Sequence, residues 1–463
     1  MLCHTPAMAM LTWMSDPGRP PSIGSIDHET LPLRCHWERE EDSVRCSDIL
    51  TYAADSWEQQ VNESGFQEPV PDSDAIVDLY LFDYNGGGAY ASCSTWNDPA
   101  PADGLTSCAA YVALDRQLSP QEMRTYVAHE FNHVLQYATD YNEPTYPVWE
   151  GVASAAEIWV YPEDVRITAG YSFGDFQSAP WAGMLSDGYF LWEEHNLWSY
   201  YEYGTAIWAL HLDHHHGSGG GSGGAALWDG LAQEGPNTVD VIDGYDAATG
   251  DWRAALLSLS AERVLLGTDA APSWLSLKAP YLELSIDGEY TADDLPVLHT
   301  PSTMPYSTGA VYATVSGVQE PLMVTVEADD GQWGIVAVGD GVQTWEAATT
   351  LRWEGSGEVV FGVVNLDHDA VAQTGSWGAL RSSQRTVQLR IAVAEDEDDD
   401  TGTPDDTGTP DDTDTPDDNS SSGVQLSTHE PQAGCTCSTS KAQLPWTALL
   451  VGVLVFRRRQ DRQ

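Results

Sequence analysis

The sequence predicts an α+β protein, and three observations predict it. A capped helical segment with an apolar face opens at Ser119, and a strand-like run at 76–82 precedes it. From about 281 to 394 apolar and polar residues alternate with the period of two that strands require. Composition then divides the chain into an N-terminal segment (1–29), a mixed α/β part (30–280), an all-β sandwich (281–394), an acidic Thr/Pro/Asp-rich stalk (395–433) and a tail (434–463).

Charge narrows the partners. The 463 residues carry 71 acidic and 19 basic side chains, a formal charge of −52, and only two of the bases are lysines. Phosphate binding needs clustered cations, so nucleic acid is excluded as a partner. The 18 Trp and 20 Tyr supply enough apolar surface for real cores, and a monomer is expected. Thirteen of the acids lie between Glu395 and Asp418; the rest are spread over the folded part, as in a protein kept soluble in an open, salty medium.

Taken in order, residues 1–14 hold an apolar stretch with no base ahead of it and no small-residue cleavage site, so they read as a poor or incomplete secretory signal. Cys35 and Cys46, then Cys93 and Cys108, enclose short loops, and in an exported protein each pair is most simply a disulfide. Cys93 has no nucleophile motif around it. Residues 109–114 form the strand before the helix, and this is the strand expected to take an extended peptide along its edge.

Ser119-Pro120-Gln121-Glu122 combines a serine cap, proline in the first turn and glutamate three residues after the cap. Met123, Tyr126, Val127, Val134 and Leu135 continue at helical spacing, and His129-Glu130-Phe131-Asn132-His133 sits among them. Four residues turn a helix by about 400°, so both imidazoles reach one ion. Glu130 lies beside that face, where its carboxylate can take a proton from water that the ion acidifies.

A metzincin would need glycine at 136 and histidine at 139, where this chain has Gln136 and Thr139. After a two-proline loop, a helix is expected from near Val148, with Glu150 in its first turn as third metal ligand. Glu157, seven residues on, shares that face; it is the alternative ligand, or the acceptor that orients a histidine. Asp140 and Glu143 are weaker candidates because they sit in the loop.

The segment His129-Glu-x-x-His133, then Glu150-Gly151-Val152-Ala153 and Glu157, resembles the gluzincin metallopeptidases, particularly their aminopeptidase branch, with Trp149 where that branch has Asn. The stretch 31–216 is similar to a group of myxobacterial metalloproteases carrying the same motif. The resemblance implies a zincin-like domain: a mixed sheet, a zinc helix and a helical subdomain. It implies Zn2+ as cofactor and a protein or peptide as substrate. Tyr201-Glu202-Tyr203-Gly204, opening a helix through Leu212, resembles the motif whose tyrosine stabilises the oxyanion, a role the resemblance assigns to Tyr201 rather than Tyr203. The loop that holds a substrate amine in aminopeptidases has no counterpart, so an endopeptidase is expected first.

Asp213 and the three histidines after it end that helix and enter a Gly/Ser run at 217–224, which reads as a flexible loop rather than a second metal site. The sandwich holds no clustered chemistry and is expected to be accessory. In the stalk, Thr-Gly-Thr-Pro-Asp-Asp repeats at 401–406 and 407–412 extend the chain. In the tail, Gly434-Cys435-Thr436-Cys437, an uncharged run at 444–456 and Arg457, Arg458 and Arg459 resemble the MYXO-CTERM sorting signal. That resemblance implies export and anchoring at the cell surface, although thirteen residues span only about 20 Å as a helix against a bilayer core of roughly 30 Å. The expectation opposed to a peptidase is a non-catalytic surface adhesin on a degenerate zincin fold.

Overall fold

The computed structural model describes residues 18–70, 72–84, 88–96, 107–141, 143, 145–197, 199–234, 241–367 and 384–395. The stalk beyond residue 395, the tail and residues 1–17 lie outside these. Among the described residues there are ten α-helices and three sheets, a mixed α+β architecture.

The first sheet is built from β1 (Gly24–Asp27), β2 (Leu33–Trp37), β3 (Val77–Phe82), β4 (Ala89–Trp96) and β5 (Cys108–Asp115), in the order β1-β2-β3-β5-β4. β2, β3 and β5 run parallel, and β1 and β4 pair antiparallel at the two edges. Every residue of β5 is buried, as the uninterrupted run Ala-Ala-Tyr-Val-Ala-Leu requires of a strand covered on both faces. The edge next to the helix that follows is therefore β4, not residues 109–114. Sequence order misleads here because β5 inserts between β3 and β4. Both expected cysteine pairs are bonded: Cys35–Cys46 ties β2 to α1 (Ser43–Trp57), and Cys93–Cys108 ties β4 to β5, with Cα separations of 5.4 and 5.7 Å.

Helix α2 (Pro120–Thr139) starts as its sequence demands: Ser119 Oγ accepts the Glu122 N–H while the Glu122 carboxylate accepts the Ser119 N–H. Such a cap is worth about 1 kcal/mol. α2 lies against α1, β5 and α3 (Tyr146–Val160), which starts two residues before Val148. Then come α4 (Val165–Ser178), α5 (Gly188–His195), α6 (Tyr201–Gly204), α7 (Ala206–His216), α8 (Ser222–Glu234), α9 (Val241–Thr249) and α10 (Trp252–Glu262).

Two expectations change here. The helix from Tyr201 breaks at Thr205, whose hydroxyl donates to the carbonyls of Glu202 and Pro147. The Gly/Ser run is ordered: the Asp213 carboxylate accepts the N–H groups of Gly221 and Gly223 and so caps α8. Gly219, Gly220 and Gly221 have φ of 89°, 69° and 105°, which explains the glycines as backbone geometry rather than flexibility.

The C-terminal sheets are β11-β10-β13-β8-β6 and β12-β9-β14-β7. Their strands are β6 (Gly288–Thr291), β7 (Val297–His299), β8 (Ala310–Val318), β9 (Leu322–Glu327), β10 (Trp333–Gly339), β11 (Val342–Glu346), β12 (Thr350–Trp353), β13 (Gly357–Asn365) and β14 (Gln388–Val393). Pairing is antiparallel except between β6 and β8. Val324, Val326, Ile335 and Ala337 fill the interior between the two sheets. The opposite face of the larger sheet is also covered. Tyr312, Val336 and Val364 share the core of the helical layer, the Tyr312 hydroxyl donates to the Ser260 carbonyl, and Leu257 of α10 lies where a Cβ on Gly334 would stand. Helices, first sandwich sheet and second sandwich sheet thus form successive layers.

Candidate metal centre

The wildcard positions of the motif face the C-terminal end of α1 and the turn after it. Phe131 packs on Trp57 at 5.9 Å, and the Asn132 amide donates to Gln60 Oε1, whose own amide donates to the Ala128 carbonyl. Anchored on that side, α2 presents His129 and His133 to α3, where Glu150 stands. Ligand atoms of His129, His133 and Glu150 all lie within 4.8 Å of one another, and all three residues are buried. Glu150 Oε2 is 3.1 Å from His129 Nε2 and 3.7 Å from His133 Nε2. Tetrahedral donors at the usual bond lengths stand about 3.3 Å apart, so the group can hold a metal ion.

Each imidazole is oriented from behind. His129 Nδ1 lies 2.9 Å from Glu157 Oε1, and the Thr168 hydroxyl donates to Glu157 Oε2 at 2.6 Å. His133 Nδ1 lies 2.6 Å from Gln136 Oε1, and the Gln136 amide donates to the Trp149 carbonyl at 3.1 Å. Nδ1–H donation at both rings leaves both Nε2 lone pairs facing Glu150. Glu157 is thus seated behind His129, and Glu150 stands between the imidazoles. Trp149 belongs to the frame too: its ring lies 4.8 Å from Trp228 and its indole N–H donates to the Glu143 carbonyl. The Glu143 carboxylate is engaged in the loop, accepting the Thr145 N–H.

The electrostatics fit a cation. Three buried carboxylates, Glu130, Glu150 and Glu157, surround two imidazoles. Burial pushes Glu150 up, but hydrogen bonds and charge from His129 and His133 prevail and hold its carboxyl down at about 2. Burial raises Glu130 above the usual carboxylate range, against the pull of His129 and His133 and a hydrogen bond from the Ala91 backbone. Ala91 is on β4, so the carboxylate beside the centre abuts the edge strand.

Tyr201 is not brought to this group. It is fully buried, its hydroxyl has no hydrogen-bond partner among the described residues, its ring lies 5.0 Å from Phe176, and Arg263 and Tyr312 are the charged or polar groups that act on it. Tyr203 takes that place, with its ring stacked 5.9 Å from His129. Its phenol hydrogen-bonds that of Tyr146, which in turn hydrogen-bonds Glu150, and burial raises both phenols well above their usual range. Tyr146 was missed because the helix was expected from near Val148; with α3 starting at Tyr146, four residues before Glu150 is the same face. Gln136, three residues after His133 on one helix, had the same signal, whereas Thr168 and Ala91 carried none.

Among the described residues no helix is long and apolar enough to cross a membrane. No protein-family model matches the chain, and no curated protein matches it either.

Proposed function

We propose that this protein is a zinc-dependent peptidase of gluzincin type, exported and acting at the cell surface or outside the cell. The observation that carries the reading is the convergence of His129, His133 and Glu150 within 4.8 Å beside the buried Glu130. Two imidazoles and a carboxylate suit Zn2+ and leave a tetrahedral position open. Zinc, when bound, supplies a positive charge that acidifies water and polarises a carbonyl.

The protein's own groups do the rest. Glu130 takes the proton of the attacking water and returns it to the departing amine as the C–N bond breaks, and its raised affinity for a proton suits both steps. The Tyr203 phenol donates to the carbonyl oxygen as charge develops on it, the role first assigned to Tyr201. A peptide in extended form lies along β4, whose backbone meets Glu130 at Ala91. The two disulfides support an oxidising, extracellular setting.

The test uses full-length protein, a casein-type substrate and metal analysis. Wild type is expected to contain zinc and to cleave, a chelator to abolish cleavage, and Glu130→Gln to keep the metal while losing hydrolysis. Stoichiometric metal at this centre with no hydrolysis of any peptide or protein tested overturns the reading in favour of a binding module.

A further inference from the structure

A second cluster lies on the far side of α7. His211 and His215 are one helical turn apart and face Glu262 on α10, and ligand atoms of these three also lie within 4.8 Å of one another. We propose that His211, His215 and Glu262 form a second transition-metal site, one that clasps α7 to α10. The proposal is independent of any catalytic role for the first centre.

Three observations support it. His215 Nε2 stands 3.0 Å from Glu262 Oε1, close to the separation of about 3.3 Å between two ligands of one tetrahedral ion. The carboxylate is already aimed, because the Trp274 indole N–H donates to its other oxygen, Oε2. His211 is fully buried, and while its Nε2 meets Ser258 Oγ at 3.2 Å, its Nδ1 is buried with no hydrogen-bond partner among the described residues. A buried ring nitrogen without a partner is rare and costly, and an ion would satisfy it. Two imidazoles with one carboxylate select a borderline ion such as Zn2+ over the all-oxygen preference of Ca2+ and Mg2+.

The site also differs from what the run of histidines implies on its face. The neighbouring Asp213 is not a ligand, since its carboxylate caps α8. His211, outside the contiguous triplet, supplies the buried nitrogen. His215 is about one-third exposed and Glu262 is largely covered, so an ion enters from solvent and keeps a position for water. The clasp would act at a mechanical junction. α10 carries the larger sandwich sheet through Leu257 and Ser260, and α7 packs on α3, the helix that bears Glu150.

The test is zinc stoichiometry and thermal stability of the metal-stripped full-length chain. Wild type is expected to take up two equivalents of Zn2+, and Glu150→Ala one. His215→Ala and Glu262→Gln each keep one equivalent and lose the part of the zinc-induced rise in melting temperature that Glu150→Ala retains. His214→Ala/His216→Ala should still bind two. No equivalent in folded Glu150→Ala, or as many in folded His215→Ala as in wild type, overturns the proposal; so does loss of an equivalent in His214→Ala/His216→Ala, which would mark the exposed histidines as the binders. Circular dichroism checks that each variant is folded.

Discussion

Gly151 lies against Thr205 so closely that a Cβ at position 151 would stand 2.1 Å from Thr205 Oγ1 and 3.1 Å from its carbonyl carbon. The residue after Glu150 is therefore the contact that lets α3 meet the α6–α7 corner, two residues from Tyr203. Gly151→Ala is expected to force the helices apart, with the overpacking cost of about 1–3 kcal/mol. Displacing Tyr203 from His129 should also lower activity beyond what the loss of folded protein explains. Denaturant titration and kcat per folded molecule check this; an unchanged midpoint and unchanged kcat would mean that the contact relaxes freely.

Glu157 and Thr168 form a relay behind His129, with separations of 2.9 and 2.6 Å. Partners that orient a ligating histidine typically control metal affinity by roughly 10–100-fold. Glu157→Gln is expected to weaken zinc binding at the first centre by that order while leaving the centre able to fill at high zinc, whereas Glu150→Ala should abolish binding there. Competition with a chromophoric chelator reads both. Equal losses in the two variants would make Glu157 a ligand in its own right.

What the sequence made legible was local. The cap at Ser119, the helical spacing of His129 and His133, and the alternation of Val324 and Val326 are each set by neighbours a few residues away, and periodicity reveals them. What stayed hidden depends on tertiary pairing. β5 reads as the strand nearest the helix, yet β4 covers its outer side, a swap invisible to periodicity. Which of Tyr201 and Tyr203 lies beside the histidines turns on how a four-residue helix is rotated, and a motif resemblance cannot tell that Tyr203 is the ring stacked near His129 while Tyr201 packs on Phe176. The glycines at 219–221 looked like slack because composition alone does not show that their backbone takes positive φ and that Asp213 accepts the amides of Gly221 and Gly223.

Glu202 gives a pH dependence with a definite sign. Burial, then the charge of Asp187, push its carboxyl up to about 8, although it accepts the Gly188 N–H at 2.7 Å. The folded state therefore holds a proton that the unfolded chain, with a carboxyl near 4.5, has released. Stability contributed by this group is complete below that lower value and is lost as pH rises toward 8. Glu202→Gln can keep the Gly188 hydrogen bond through its amide oxygen and has nothing to titrate. Its stability relative to wild type is expected to rise between pH 5 and pH 8 by a few kcal/mol at most. Denaturant curves for both proteins across that range provide the check; parallel pH profiles would show that Glu202 is ionised in the folded protein.

The two tyrosines of the short helix offer the sharpest contrast, because they differ by a single oxygen from phenylalanine and by two positions from each other. Tyr201 is buried with its hydroxyl unsatisfied, so Tyr201→Phe removes a polar atom that lacks a partner and is expected to be neutral or slightly stabilising, with unchanged kcat. Tyr203 lies over His129 and is linked through Tyr146 to Glu150, and Tyr203→Phe deletes the donor assigned to the developing oxyanion. Loss of one such donor typically costs about 10²–10³ in kcat, here with zinc content and KM little altered, because the phenol is needed most when charge appears on the carbonyl oxygen. Tyr146→Phe is expected to fall between the two, since it frees the Tyr203 hydroxyl but leaves Glu150 short of a hydrogen bond. Should Tyr201→Phe instead carry the larger loss in kcat, the oxyanion donor would return to Tyr201, and the helix would have to turn on substrate binding to deliver it.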